Sequence, residues 1–124
     1  MAKPPDPFHE FVAELLAPMG PVSVRRMFGG AGVFRDGLMF ALLADETIFL
    51  KTDASLRKDL EAEGGAPFVW TKPSTGEAID MGYVSLPSSA MDDPDEASLW
   101  ASRALAVAKA KAAAKPATKA KRKK

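Results

Sequence analysis

The sequence predicts an antiparallel α+β fold in the order α-β-β-β-α-β-β-α, and three observations carry that prediction. Apolar residues recur at helical spacing near both ends of the chain. Between them lie short apolar runs bounded by turn signals, Asp36-Gly37 the clearest of them. Asp53 or Thr52, and later Asp93, stand where helix caps belong, which places one helix among the strands and one after them. Helices packed on a five-stranded antiparallel sheet, or on two sheet pieces, satisfy this pattern.

Residues 1–7 are proline-rich and are expected to be flexible. Residues 8–16 predict a helix, because Phe8, Phe11, Val12, Leu15 and Leu16 share one face; Asp6 is its expected cap, and Pro18 and Gly20-Pro21 end it. Residues 22–28 read as extended, and Gly29-Gly30 as a bend or bulge entering a three-stranded meander. At its centre Asp36-Gly37 sits between the apolar runs 31–34 and 38–43, the signature of a type I′ hairpin turn. Asp45-Glu46 leads into a third strand, 47–51. A helix over 54–63 follows, with Leu56 and Leu60 one turn apart and Gly64-Gly65 as its stop. Strands at 68–71 and 79–86 flank a polar turn. The last helix begins at Asp93-Pro94, where Glu96 completes a capping-box pattern; Trp100, Ala104 and Val107 with Ala97, Ala101 and Ala108 form its apolar face. It can run toward Ala114 before Pro116 stops it.

The chain of 124 residues divides into a flexible N-terminus (1–7), one folded domain (8–108) and a Lys/Ala-rich tail (109–124) expected to be disordered. The net charge of +1 conceals a segregation. Residues 1–108 hold nine Lys/Arg against sixteen Asp/Glu, a balance of −7, whereas residues 109–124 hold eight Lys/Arg and no acid, a balance of +8. There is no cysteine, which excludes disulfide frameworks and thiolate metal sites. The first residues lack the apolar core of a signal peptide, and no run approaches the roughly 18 apolar residues of a membrane span. A soluble cytoplasmic protein without membrane attachment is expected.

Catalytic chemistry finds few footholds. His9 is the only histidine, so a Ser-His-Asp arrangement would have to use a residue in the first turn of the first helix; an exposed helix position is the plainer reading. Gly30-Ala31-Gly32 opens a strand rather than a helix, and Arg35 stands where a dinucleotide loop needs a small residue. The carboxylates have local roles in turns, caps and solvent-facing turns of helix, except Asp80, which has none. No catalytic residue, cofactor site or metal site is therefore assigned. Phe34, Phe40, Phe49, Phe68 and Trp70 lie on strands, but no RRM-type pattern surrounds them, and core packing is the expectation for each.

The tail points to a polyanion. Each cation that neutralises a phosphate releases a counterion, so Lys109, Lys111, Lys115, Lys119, Lys121, Arg122, Lys123 and Lys124 could support non-specific nucleic-acid binding; a purely solubilising tail remains the alternative. Arg26 is a further candidate for phosphate, since Arg25 and Arg26 point to opposite faces of a strand and at most one serves a given surface.

The stretch 24–42, with Val24-Arg25-Arg26-Met27-Phe28-Gly29-Gly30 leading into Asp36-Gly37, resembles the entry motif of the TfoX/Sxy N-terminal domain. Ile48-Phe49-Leu50-Lys51, Pro67-Phe68, Met81-Gly82-Tyr83 and Leu99-Trp100-Ala101 continue the likeness over about residues 8–108. The resemblance implies an α-β(3)-α-β(2)-α fold, bacterial origin, a transcriptional role associated with natural competence, and no catalytic residues. The family's full-length regulators carry a second domain after this one; here a basic tail follows. Two functions are consistent with these readings: a regulatory module whose tail binds nucleic acid, and a protein-interaction adaptor, which an exposed apolar patch around Met39 or Met81 would favour. Neither reading specifies an oligomeric state.

Overall fold

The computed structural model describes residues 7–27 and 30–114. Its elements are α1 (Pro7–Leu15), β1 (Ser23–Met27), β2 (Gly30–Arg35), β3 (Leu38–Ala44), β4 (Thr47–Lys51), α2 (Ala54–Ala62), β5 (Pro67–Thr71), β6 (Ala78–Ser85) and α3 (Pro94–Ala114). The strands form one antiparallel sheet in the order β1-β2-β3-β4-β6-β5. The α+β class therefore stands, with six strands rather than five. The extra strand is the extended segment before the glycine pair: Val24 pairs with Val33 and Met27 with Gly30, which makes it the sheet's first edge.

Local chemistry accounts for the turns and caps. Asp36 (φ 54°) and Gly37 (φ 78°) both occupy the left-handed region that a type I′ turn requires. Asp45 (φ 50°) and Glu46 (φ 56°) do the same without a glycine. The Asp53 carboxylate accepts from the Leu56 amide at 2.8 Å, capping α2. Asp93 caps α3 by accepting from the amides of Asp95 and Glu96. Glu96 does not close the expected capping box, because the Asp93 amide already donates to the Ala90 carbonyl. Its carboxylate instead accepts from the Ser89 hydroxyl and the Trp100 indole N–H. The expected cap of α1, Asp6, lies outside the described residues.

The core forms between the three helices and one face of the sheet. Val33, Ala41, Leu43, Ile48, Leu50 and Val84, matched across neighbouring strands, all point into it and are buried. Val12, Leu15 and Leu16 reach it from α1 and the residue after it, and Leu56 and Leu60 from α2. The contact stripe of α3 is built from Ala97, Ala101, Ala104 and Ala108 with Val107 and Leu105, small side chains that let a helix lie close over β3 and β4. Between Val33 and Phe34 the β2–β3 register shifts, leaving Phe40 as an extra residue; it points inward beside Ala41 and is fully buried.

Four of the five aromatic side chains expected in the core are elsewhere. Only Phe40 is in it. Phe34, Phe49 and Phe68 are half-buried and Trp70 is 44% exposed, and none of them packs against the core cluster. The helices cover only one face of the sheet, and alternation along β2, β4 and β5 places these rings on the other.

Candidate nucleic-acid interface

The first two lysines of the basic run belong to a helix. α3 continues through residues 109–114, which the sequence assigns to a disordered tail. Alanine and lysine are strong helix formers, and cations in a last turn meet the negative end of the helix dipole. Lys109 is exposed. Lys111 reaches back, its Nζ donating to the Thr52 carbonyl at 3.3 Å and fastening the end of α3 to the junction of β4 and α2. Thr52 is itself held, its hydroxyl donating to the Gly82 carbonyl of β6 at 2.9 Å. The run thus leaves from a helix anchored to the body. Lys115, Lys119, Lys121, Arg122, Lys123 and Lys124 lie outside the described residues, as does Pro116.

The paired arginines of β1 divide as a strand requires. Arg26 stands opposite Ala31, on the sheet face that carries the helices, and is exposed at the edge. Arg25 lies on the opposite face, its guanidinium 5.1 Å from the centroid of Phe34. The structure therefore does not bring Arg26 onto the face where the aromatic residues collect; it brings Arg25. That assignment needs the β1–β2 register, which a Gly-Gly connection does not reveal in sequence.

Asp80 acquires a role that no local pattern discloses. Its two carboxylate oxygens accept from the Arg57 guanidinium at 3.1 and 2.6 Å, and one also accepts from the Gly82 amide. Arg57 bonds Glu61 one turn along α2 as well, so the fork joins α2 to β6. A second tie, Arg103 to Asp59 at 2.8 Å, joins α3 to α2. The Arg57 hydrogen bonds, with help from the Gly82 amide, hold the Asp80 carboxyl below its ordinary range. A carboxyl whose pKa is lowered by folding stabilises the native state above its unfolded value, and that stability is lost as pH falls through the folded one. Asp80→Asn is therefore expected to flatten the acid side of the stability profile. Urea midpoints at pH 7 and pH 3 should differ less in the variant than in the native protein; an unchanged difference would remove Asp80 from the acid response.

Two surface depressions flank the helices. One, about 240 Å³, lies between α2 and α3 and is lined by Asp53, Ser55, Leu56, Arg103, Val107 and Ala110 among others. Another of similar size lies beside Phe11, Glu14 and Met91. His9 is half-buried on α1, rather than exposed. Among the described residues no group of three or more His, Cys, Asp or Glu side chains is placed to hold a metal ion. Among the same residues no helix is long and apolar enough to cross a membrane.

Fold and surface together define a small α+β module with one sheet face packed by helices and one that no described helix covers, and a basic run that begins in its last helix. The family model of the TfoX N-terminal domain matches residues 14–108, and the chain belongs to that family. A comparison with curated proteins returns no match.

Proposed function

We propose that this protein is a non-enzymatic, cytoplasmic TfoX-N-type module, associated with transcription and competence, that holds nucleic acid non-specifically through its basic C-terminal run. One observation carries the reading. The charge of the chain is split between an acidic body of −7 and a run of +8 that begins in the last turns of α3, where Lys111 bonds Thr52. Membership of the TfoX N-terminal family supports the regulatory part. The non-enzymatic part draws on Asp80, the carboxylate left without a local role, which is committed to a structural fork with Arg57.

The test uses the full chain and a variant with Lys115, Lys119, Lys121, Arg122, Lys123 and Lys124 all changed to Gln. With eight phosphate contacts, log affinity for a duplex should fall against log salt with a slope near −7, about four decades between 50 and 200 mM. The variant should lose most of its affinity and keep a slope no steeper than about −2. Equal affinities and slopes for the two proteins would overturn the role of the run.

The adaptor reading is favoured by one observation, the exposed apolar part of the sheet, where Met81 is 43% exposed. It predicts a protein complex that survives neutralisation of the run.

A further inference from the structure

Side chains of the sheet fall into two sets with different surroundings. The set in register with Val33 and Leu50 faces the helices and makes the core. The other set includes Phe34, Leu42, Phe49, Phe68, Trp70 and Met81, none of which joins the core cluster or its packed fringe. Contacts between them show that they share one surface: the Phe49 and Phe68 rings are 5.0 Å apart and tilted by 53°. Two cations lie on the same surface against aromatic rings, Arg25 over Phe34 at 5.1 Å and Lys51 over Tyr83 at 5.5 Å. Register agrees, since Lys51 pairs with Tyr83 and Phe49 with Ser85.

The distribution of acid is as informative. Sixteen carboxylates are spread through residues 1–108, yet among the described residues Asp80 is the only one in a strand, and it faces the helices in its ion pair with Arg57. No outward strand position among the described residues carries an acid. Acids flank the strands in turns: Asp45 and Glu46 between β3 and β4, and Glu77 between β5 and β6, where its carbonyl accepts from the amide of Lys72. An otherwise acidic body thus presents one face made of aromatic rings, apolar side chains and cations.

The chemistry of that face selects among occupants. A second copy docked by a two-fold axis would set Arg25 against strands whose outward positions, among the described residues, carry no carboxylate to receive it. A nucleic-acid duplex offers phosphates but keeps its base faces stacked inside. A single strand offers phosphate to the cations and unstacked bases to the rings, the pairing by which open sheets and grooves hold it. We propose that the uncovered sheet face binds single-stranded nucleic acid, with bases stacked on Phe34, the Phe49–Phe68 pair and Trp70, and phosphates at Arg25 and Lys51. This surface and this ligand form are separate from the tail's non-specific hold on duplex.

The chain has two tryptophans, so Trp100→Phe in the full-length protein leaves Trp70 as the only indole reporter. Titration with a 20-nucleotide oligothymidine in 200 mM salt should quench Trp70 emission, and a duplex of the same length should not. With a fluorescein-labelled strand, Trp70→Ala and Phe34→Ala should each weaken single-strand binding roughly tenfold, while duplex binding stays unchanged. Both side chains lie outside the core, and an unchanged melting temperature confirms that the variants are folded. The tail variant separates the two ideas: it should lose duplex binding and retain the strand-dependent quench. Absence of quenching, or single-strand affinity indifferent to both aromatic substitutions, would overturn the proposal. So would a self-associated or protein-bound form that the aromatic substitutions dissociate without any effect on single-strand binding, which would give the face to a protein instead.

Discussion

Phe40→Ala is expected to cost about 3–5 kcal/mol of folding stability. Phe40 is the largest of the fully buried side chains, and it enters the core from a bulge rather than from a regular strand position. Two consecutive residues of β3, Phe40 and Ala41, therefore point inward opposite a single site on β2. The ring fills the space that this doubled position opens, and Val33, Leu50 and the alanines of α3 belong to the same cluster. Alanine would leave a cavity lined by a sheet and a helix, neither of which can close it without breaking pairing or helix contacts elsewhere. A domain of this size has about 5–15 kcal/mol in total, so the variant should lose a large share of its stability. Phe40→Leu keeps most of the volume and should cost clearly less. Urea denaturation of the three proteins gives the comparison. A loss under about 1 kcal/mol for alanine would mean that the bulge relaxes into the gap.

The second large effect is expected at Gly30, for a reason unrelated to conformational freedom. β2 begins there, and a Cβ built on Gly30 would fall on the Leu43 carbonyl oxygen of β3. That oxygen is main chain and cannot swing aside as a side chain does. Ala31 and Leu43 are paired, so relief requires β2 and β3 to separate at the start of their ladder. Gly30→Ala should therefore cost about 2–3 kcal/mol, in the range of overpacked sites. Gly76→Ala provides the contrast. Gly76 has φ 76° and open space where its Cβ would go, so alanine there meets only the left-handed conformational penalty of about 1 kcal/mol. The order of the two costs is the check: a smaller loss at Gly30 than at Gly76 would show that the strands yield easily. This places the second glycine of the Phe28-Gly29-Gly30 motif in strand packing, where its sequence context suggested a bend.

Elements governed by near neighbours are legible in the amino-acid string. The Asp36-Gly37 hairpin follows from the φ > 0 that Gly and Asp tolerate, and the starts of α2 and α3 follow from carboxylates placed to accept free amides. The α1 and α2 faces follow from 3.6-residue spacing, which Val12, Leu15, Leu56 and Leu60 obey. The family motif is readable for the same reason, as a local pattern. The candidate site is legible only in part. The run of cations is a matter of composition, but Lys111 bonds Thr52, and that contact spans 59 residues of sequence.

By itself, then, the sequence determined the order and type of every element except the first strand, the cap residues of α2 and α3, the tight turns and the split between an acidic body and a basic run, because each depends on residues within a few positions of one another. Tertiary structure alone decided the rest. It made residues 23–27 an edge strand and placed β6 between β4 and β5, since antiparallel pairing joins segments whose separation no local preference records. It paired Asp80 with Arg57, 23 positions away. It also decided the fate of the aromatic residues. A strand shows which of its side chains alternate but not which face the helices will cover, so Phe34, Phe49, Phe68 and Trp70 read as core although α3 lies on the other side of the sheet.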